Sequence, residues 1–329
     1  MGTVSKAVDL LGSDDISLTL VDVGASLEPF APFRPLLGHA TYVAFDPDLR
    51  EMHDQSDGAG RRVVINKAVV ADPDTDVAQF LLTENPTCSS TLHPDPAVIG
   101  PYLHAHRFDV VDKAEVAATT LDEAMTSVGI ERIDWVKLDT QGTDVRLLRS
   151  MSDRLWNGLV AVDAEPGFDS YYEGEDTFSD LHQLMRARGF WLADLSLTTG
   201  VRVRRKTFDQ HLGARSKLQR YAYETTLKRS PMAAGPRYLR TIESLVDAAA
   251  SRTDYLRLWV CSVVSGNLPF ALDVLHACAA AHGEDPELTG LTRVTARGNK
   301  AYAARHAWRH AGKLSRRRVL HALRWGGRR

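Results

Sequence analysis

Cysteine is scarce in this chain. Three cysteines stand among 329 residues, Cys88, Cys261 and Cys278, far apart and with no CxxC pair. That pattern indicates neither a disulfide framework nor a cysteine zinc site. Long apolar runs are lacking too, and none reaches the roughly 18 residues that a bilayer-spanning helix needs. No charged stretch followed by an apolar one opens the sequence, so a secretory signal is not expected. Neither sign of charge dominates: 40 Lys and Arg against 42 Asp and Glu leave a net charge of -2, which excludes a globally basic nucleic-acid binder but not a local patch. These absences fit a cytoplasmic protein. With 44% hydrophobic residues, the chain has enough apolar side chain for a large core in one big domain or two smaller ones.

A further absence bears on ligand chemistry. Val21-Asp22-Val23-Gly24-Ala25-Ser26 reads as a buried strand running into a glycine turn, and Val43-Ala44-Phe45-Asp46 as a second strand ending in an acid about 20 residues on. A parallel α/β sheet that binds a nucleoside cofactor needs that order. The glycine lets backbone approach the ligand, and the acid accepts hydrogen bonds from the ribose hydroxyls. A dinucleotide site would add a second and third glycine so that a pyrophosphate could sit on a helix N-terminus. Here Ala25, Ser26, Leu27, Glu28 and Pro29 follow Gly24, and Glu28 would repel a diphosphate. S-adenosylmethionine has the ribose and adenine without phosphate, and its sulfonium is cationic. Asp22 suits its amino group and Asp46 its ribose.

Strand-like and helix-like segments alternate from about 16 to 205, which implies a doubly wound, mainly parallel α/β sheet. Strands are expected over 16–23, 41–45, 62–70, 110–119, 133–138, 159–162 and 190–195, with 77–82 beside the third. Pro29 to Leu37 is expected to be a short or irregular helix because of Pro32 and Pro35. Helices are expected over 121–128, capped by Thr119 or Thr120, over 145–151 and over 177–188. Residues 83–107 read as a long loop, a feature that is usually functional or mobile. After about 236 the pattern turns helical, with segments at 238–249, 254–264 and 268–281. Beyond Ala301 stand nine Lys or Arg, no acid, and the interleaved Trp308 and Trp325. Such a tail suits peripheral contact with an anionic membrane or polyanion, or a solvated terminus. The expected organisation is 1–240 for the sheet domain, 241–300 for a helical extension and 301–329 for the basic tail.

Beyond its first two strands the chain resembles the FkbM-type methyltransferases. The resemblance is carried by Asp22-Val-Gly-Ala-Ser26, Phe45-Asp-Pro-Asp48, Asn85-Pro-Thr-Cys-Ser-Ser90 and Thr120-Leu-Asp-Glu123. It continues through Val136-Lys-Leu-Asp-Thr-Gln-Gly142, Tyr172-Glu-Gly174 before Phe178, and Gly189-Phe190 before Asp194. Lys137-Leu-Asp-Thr-Gln-Gly142 is the most specific piece. Two departures are visible: members often carry Glu at the position of Asp46, and many have a second glycine near Leu27 or Glu28. The resemblance implies a Rossmann-like class I methyltransferase fold and S-adenosyl-L-methionine as donor. It also implies O-methylation of a hydroxyl on a sugar, glycan or natural product. By position, Asp22, Gly24, Ala25 and Ser26 would line the methionine end, Asp46 would hold the ribose, and Asn66 to Ala68 would flank the adenine.

Methyl transfer from a sulfonium is an in-line displacement of an activated electrophile, so alignment is the main task, with a base to take the hydroxyl proton. Asp139, directly after the 133–138 strand, is the first candidate base, and Glu165, after the 159–162 strand, the second. In the family reading Lys137 and Gln141 position groups around Asp139. As an alternative role, Asp139 caps the helix that begins near Gly142. The loop with Thr87, Cys88, Ser89, Ser90 and His93 is expected to cover the acceptor pocket, and Tyr171 and Tyr172 either wall a sugar or pack at the edge of the core. No metal is expected. The His104-x-His106 and His306-x-x-x-His310 spacings lack a carboxylate set, and nothing requires Asp139, Asp163 and Glu165 to share an ion. Two competing readings remain: a nicotinamide-dependent oxidoreductase on the same sheet, and a non-catalytic binding module.

Overall fold

The computed structural model describes residues 2–12, 16–25, 28–45, 60–213 and 216–311. Its strands are β1 (Thr19–Val23), β2 (Thr41–Phe45), β3 (Arg61–Ile65), β4 (Ala68–Val69), β5 (Val77–Thr83), β6 (Val110–Thr119), β7 (Trp135–Leu138), β8 (Ala161–Asp163), β9 (Phe190–Gly200) and β10 (Ser230–Arg240). Seven of them form one sheet in the order β3-β2-β1-β7-β8-β10-β9. The β3-β2-β1-β7-β8 pairings are all parallel, and β10 runs antiparallel between β8 and β9. The result is a mixed α/β molecule with a mostly parallel central sheet, consistent with a methyltransferase-like fold. Strand order reverses between β1 and β7, and ligands gather outside the carboxyl ends of strands at such a switch point.

Alternation along the central strands sorts the core into two faces. Val21, Val23, Val43, Val136, Leu138 and Val162 pack under α3 (Leu121–Ser127), α4 (Asp144–Ser150), α5 (Asp153–Gly158) and α6 (Phe178–Ala187). Leu20, Tyr42, Ala44, Trp135 and Ala161 face the other way. There they share a cluster with α1 (Thr3–Leu11), α9 (Ile242–Asp247), α10 (Arg252–Val264), α11 (Leu268–His282) and α12 (Pro286–Ala311). Helix α10 is buried nearly all round, from Tyr255 to Val263, as a helix must be when it is sandwiched between a sheet and further helices. Thr120 caps α3 in a reciprocal capping box with Glu123.

Four expectations are corrected. The proposed 62–70 strand breaks after Ile65, and Ala68–Val69 leaves to join a second sheet of order β4-β6-β5. Strand β5 pairs antiparallel with β6 rather than beside β3. The 83–107 stretch holds short helical turns, among them α2 (Pro96–Ile99). Tyr238 to Arg240 are not helical but end β10, and the first helix after them is α9. The segment between β9 and β10 carries α7 (Arg205–His211) and α8 (Lys217–Thr226). Among the described residues no helix is long and apolar enough to cross a membrane.

Candidate active site

Parallel register places Asp22 beside Lys137 and Lys137 beside Asp163, all on the face opposite α3–α6. At the carboxyl ends of β1 and β7 the chain crowds tightly. The Asp139 amide donates to the Val23 carbonyl at 3.1 Å. Gly24 has φ +71°, and a Cβ there would overlap the Asp139 carbonyl oxygen. Gly24 is therefore required by this approach of two turns, over and above any ligand. Lys137 Nζ donates to the Gly24 carbonyl at 2.9 Å and pairs with Asp22 at 3.2 Å and Asp139 at 3.7 Å. Asp22 is only 1% exposed, and its other oxygen accepts from Tyr42 Oη at 3.1 Å and the Phe30 amide at 3.2 Å. Asp22 thus braces the first turn from inside. Gly24 is the exposed residue of this turn, and Lys137 is bonded to its carbonyl.

The turn after β7 is held by three interlocked side chains. Gln141, at φ +54°, donates from Nε2 to Asp139 at 2.7 Å and accepts from Tyr172 Oη at 3.3 Å. Its carbonyl accepts from Ser90 Oγ at 2.6 Å. Asp144, 3% exposed, accepts from the Thr140 amide at 3.0 Å and the Glu165 amide at 2.8 Å, so one buried carboxylate ties the β7 turn to the β8 turn. Asp139 does not cap the following helix: that helix begins at Asp144, after Thr143. The Asp139 carboxylate is turned to the cavity instead, held by Gln141 and Lys137.

Asp139 and Glu165 line one cavity of about 480 Å³. Burial and the neighbouring Asp139 charge raise the Glu165 pKa to about 7, opposed by a 3.3 Å hydrogen bond from Thr198. Burial also raises Glu175 to about 7, although its carboxylate accepts from the Gly167 and Tyr172 amides at 3.0 Å each. Tyr171 and Tyr172 are 4% and 3% exposed. They are packed with Tyr102, Ile99 and Met232, and both still edge the cavity. Of the loop expected to cover the acceptor pocket, Thr87 and Cys88 line the cavity, joined by Asn85, while Ser89 and Ser90 do not. Burial pushes the Cys88 thiol up, which suits a packed residue and not a nucleophile. His93 is exposed and lies outside the cavity lining.

The remaining expected residues divide. Ala25 is 6% exposed, its amide bonded to Phe45 at 3.1 Å. Asn66 is exposed just past β3, and Ala68 is buried against Ala78 and Ala118. Ser26 and Asp46 lie outside the described residues, as does the chain from 312 onward. Asp163 is engaged by Trp135 Nε1 at 2.7 Å and by Arg237 at 2.9 Å, so it does not join Asp139 and Glu165. Among the described residues no group of three or more His, Cys, Asp or Glu is placed to hold a metal.

A family model, the methyltransferase FkbM domain, matches residues 22–192. The chain belongs to the FkbM methyltransferase family. Neither the curated proteins nor the solved structures contain a match. The FkbM match starts at Asp22 and ends within β9, so it spans both turns that bear Asp139 and Glu165. It stops before α8, the linker after it and β10, which supply Tyr221, Glu224, Arg229 and Met232 to the cavity wall. Sequence reasoning missed those residues, and Asp144 and Glu175 with them. Asp144 lies two residues past Gly142 and Glu175 one past Gly174, each just beyond a motif that drew attention.

Proposed function

We propose that this FkbM methyltransferase uses S-adenosylmethionine to methylate a hydroxyl seated in the 480 Å³ cavity. The observation that carries the reading is the pair of carboxylates, Asp139 and Glu165, on the floor of that cavity beside the Gly24 turn. The chemistry of the crevice suits a cationic, phosphate-free donor. The Ala25 amide is bonded to the Phe45 carbonyl and the Phe30 amide to the Asp22 carboxylate, so neither is free for a pyrophosphate. The two acids Asp22 and Asp139 flank Lys137 at the same edge. When bound, the donor supplies an activated methyl group. The residues that would hold it are Gly24, Ala25 and Ser26 at the methionine end, Asp46 at the ribose and Asn66 near the adenine.

The chain's own work is alignment and proton removal. Glu165, raised to about 7 by burial and then by the neighbouring Asp139 charge, is the better base, and Lys137 and Gln141 hold Asp139 beside it. Asp139 also offers an acceptor to orient the incoming hydroxyl. Calorimetry with S-adenosylhomocysteine and with NAD tests the donor: tight binding of the first and none of the second is expected, and the reverse sinks the reading. Asp139→Asn and Glu165→Gln should then keep S-adenosylhomocysteine affinity while losing methyl transfer.

A further inference from the structure

The cavity carries charge that the two catalytic carboxylates do not explain. Its floor is acidic, from the turns after β7 and β8. Other elements add basic groups to the same lining: His104 and Arg107 from the helical turn before β6, and Arg229 just before β10. These groups converge. Burial first, and then the nearby charges of Arg107, His106 and Arg229, push His104 down to about 4, so that it stands as a neutral donor or acceptor near these guanidiniums. Arg229 is held over the cavity by a hydrogen bond to the Thr199 carbonyl. Arg107 meets one acid, Glu224, at 3.6 Å, a loose pair on a side chain still 48% exposed.

The surrounding segment amplifies this charge. Residues 201–229, which link β9 to β10 in sequence and include Arg229, hold nine Lys or Arg against two acids, in a chain whose net charge is -2. Asp209, one of the two, is shared by Arg205 at 3.8 Å and Arg220 at 3.5 Å, and Glu224 is the acid beside Arg107. Arg107 and Arg229 thus add positive charge to the lining of a cavity that Asp139 and Glu165 make acidic, an arrangement that concentrates anions and orients them.

We infer that the methyl acceptor carries a phosphate or carboxylate, which seats against Arg107 and Arg229 while its hydroxyl meets Asp139 and Glu165. A planar guanidinium pair matches either oxyanion, and His104 adds a neutral hydrogen bond. The site's size admits a charged monosaccharide with room beside it. The inference rests on the proposed function, since it names the acceptor class of that same cavity. Its test reads donor and acceptor separately.

The full chain is first titrated with S-adenosylhomocysteine and then, saturated with it, with glucose 6-phosphate, glucuronate and uncharged glucose. One or both anionic sugars should bind about tenfold or more tightly than glucose, with affinity falling as salt rises. The better of the two identifies phosphate or carboxylate. Arg229→Gln and Arg107→Gln should each weaken the anionic sugar about fivefold or more and leave S-adenosylhomocysteine unaffected. Equal binding of glucose, no binding of either anion at millimolar concentration, or unchanged affinity in both variants overturns the inference. So does binding to phosphatidylglycerol vesicles with no binding of either sugar acid, which would make these basic groups a membrane contact. Failure to bind S-adenosylhomocysteine at all would instead count against the parent reading.

Discussion

Glu165 sets a pH dependence that can be worked out from its surroundings. It acts as a base only as the carboxylate, and burial beside Asp139 holds its pKa at about 7. Turnover should therefore rise with pH through about 7 and level off above it. Glu165→Gln should remove that rise and lower kcat by about 10²- to 10⁴-fold, the usual worth of a positioned base, with S-adenosylhomocysteine affinity preserved. A normal pH profile in the variant would assign the proton to another group. Stability runs the other way. Both Glu165 and Glu175 start from 4.5 and stand at about 7 in the folded chain, so across that window the folded state holds protons that the unfolded state has lost. Their contribution to stability is greatest below pH 4.5 and fades as pH rises toward 7. Relative to wild type, the melting temperature of Glu175→Gln should accordingly climb over that window, and parallel curves would exclude the effect.

Single residues were the most legible scale of this sequence where chemistry and backbone agreed. Gly24 was visible as a turn glycine, yet its partner is the Asp139 carbonyl, a contact between segments more than a hundred residues apart that no local pattern encodes. Asp22 was expected to meet the ligand and is turned inward, because an acid within a central strand takes whatever cation its neighbouring strand offers, here Lys137.

At the scale of elements, the turns after β7 and β8 work as one unit because Asp144 bonds to both. Asp144→Ala leaves the Thr140 and Glu165 amides without their acceptor, at about 1–3 kcal/mol for each buried group. It should lower the denaturation midpoint and, by releasing Glu165, lower kcat more than it raises KM. A variant that loses stability but keeps kcat would show the clamp to be structural only. Most strands and helices could be read from apolar runs and caps, since β2 matches its expected span and α3 begins after Thr120. Strand β10 could not. Pro231, Gly235 and Pro236 mask its alternation, and Tyr238-Leu239-Arg240 is buried on both faces, which imitates the start of a helix. Pro231 fits there because the pairing of β10 with β9 is interrupted between Pro231 and Ala233. The β5–β6 pairing escaped for another reason: a strand's neighbour in space need not be its neighbour in sequence.

Over the whole molecule, the sequence changes character near residue 240 but the core does not divide there. Trp259 of α10, fully buried, shares one cluster with Leu10 of α1 and with Leu20 and Trp135 of the sheet, and its indole donates to Thr295 of α12 at 3.2 Å. Charge ties the same layers together. Asp134, 2% exposed at the foot of β7, pairs with Arg132 at 2.6 Å and with Arg257 of α10 at 3.5 Å, while Arg132 reaches Asp254 at 2.7 Å. Burial drives the Asp134 pKa up and these guanidiniums pull it back, so removing α10 would strip a buried carboxylate of one partner and expose the apolar face of the sheet. The chain should consequently unfold in one step. Trp259→Ala should cost about 3–5 kcal/mol, and in a urea titration the loss of S-adenosylhomocysteine binding should coincide with the loss of helical circular dichroism. A chain ending at Arg240 should fail to fold. Two separated transitions, or a folded and ligand-binding 1–240 fragment, would show that the helices after 240 are an appendage and not half of the core.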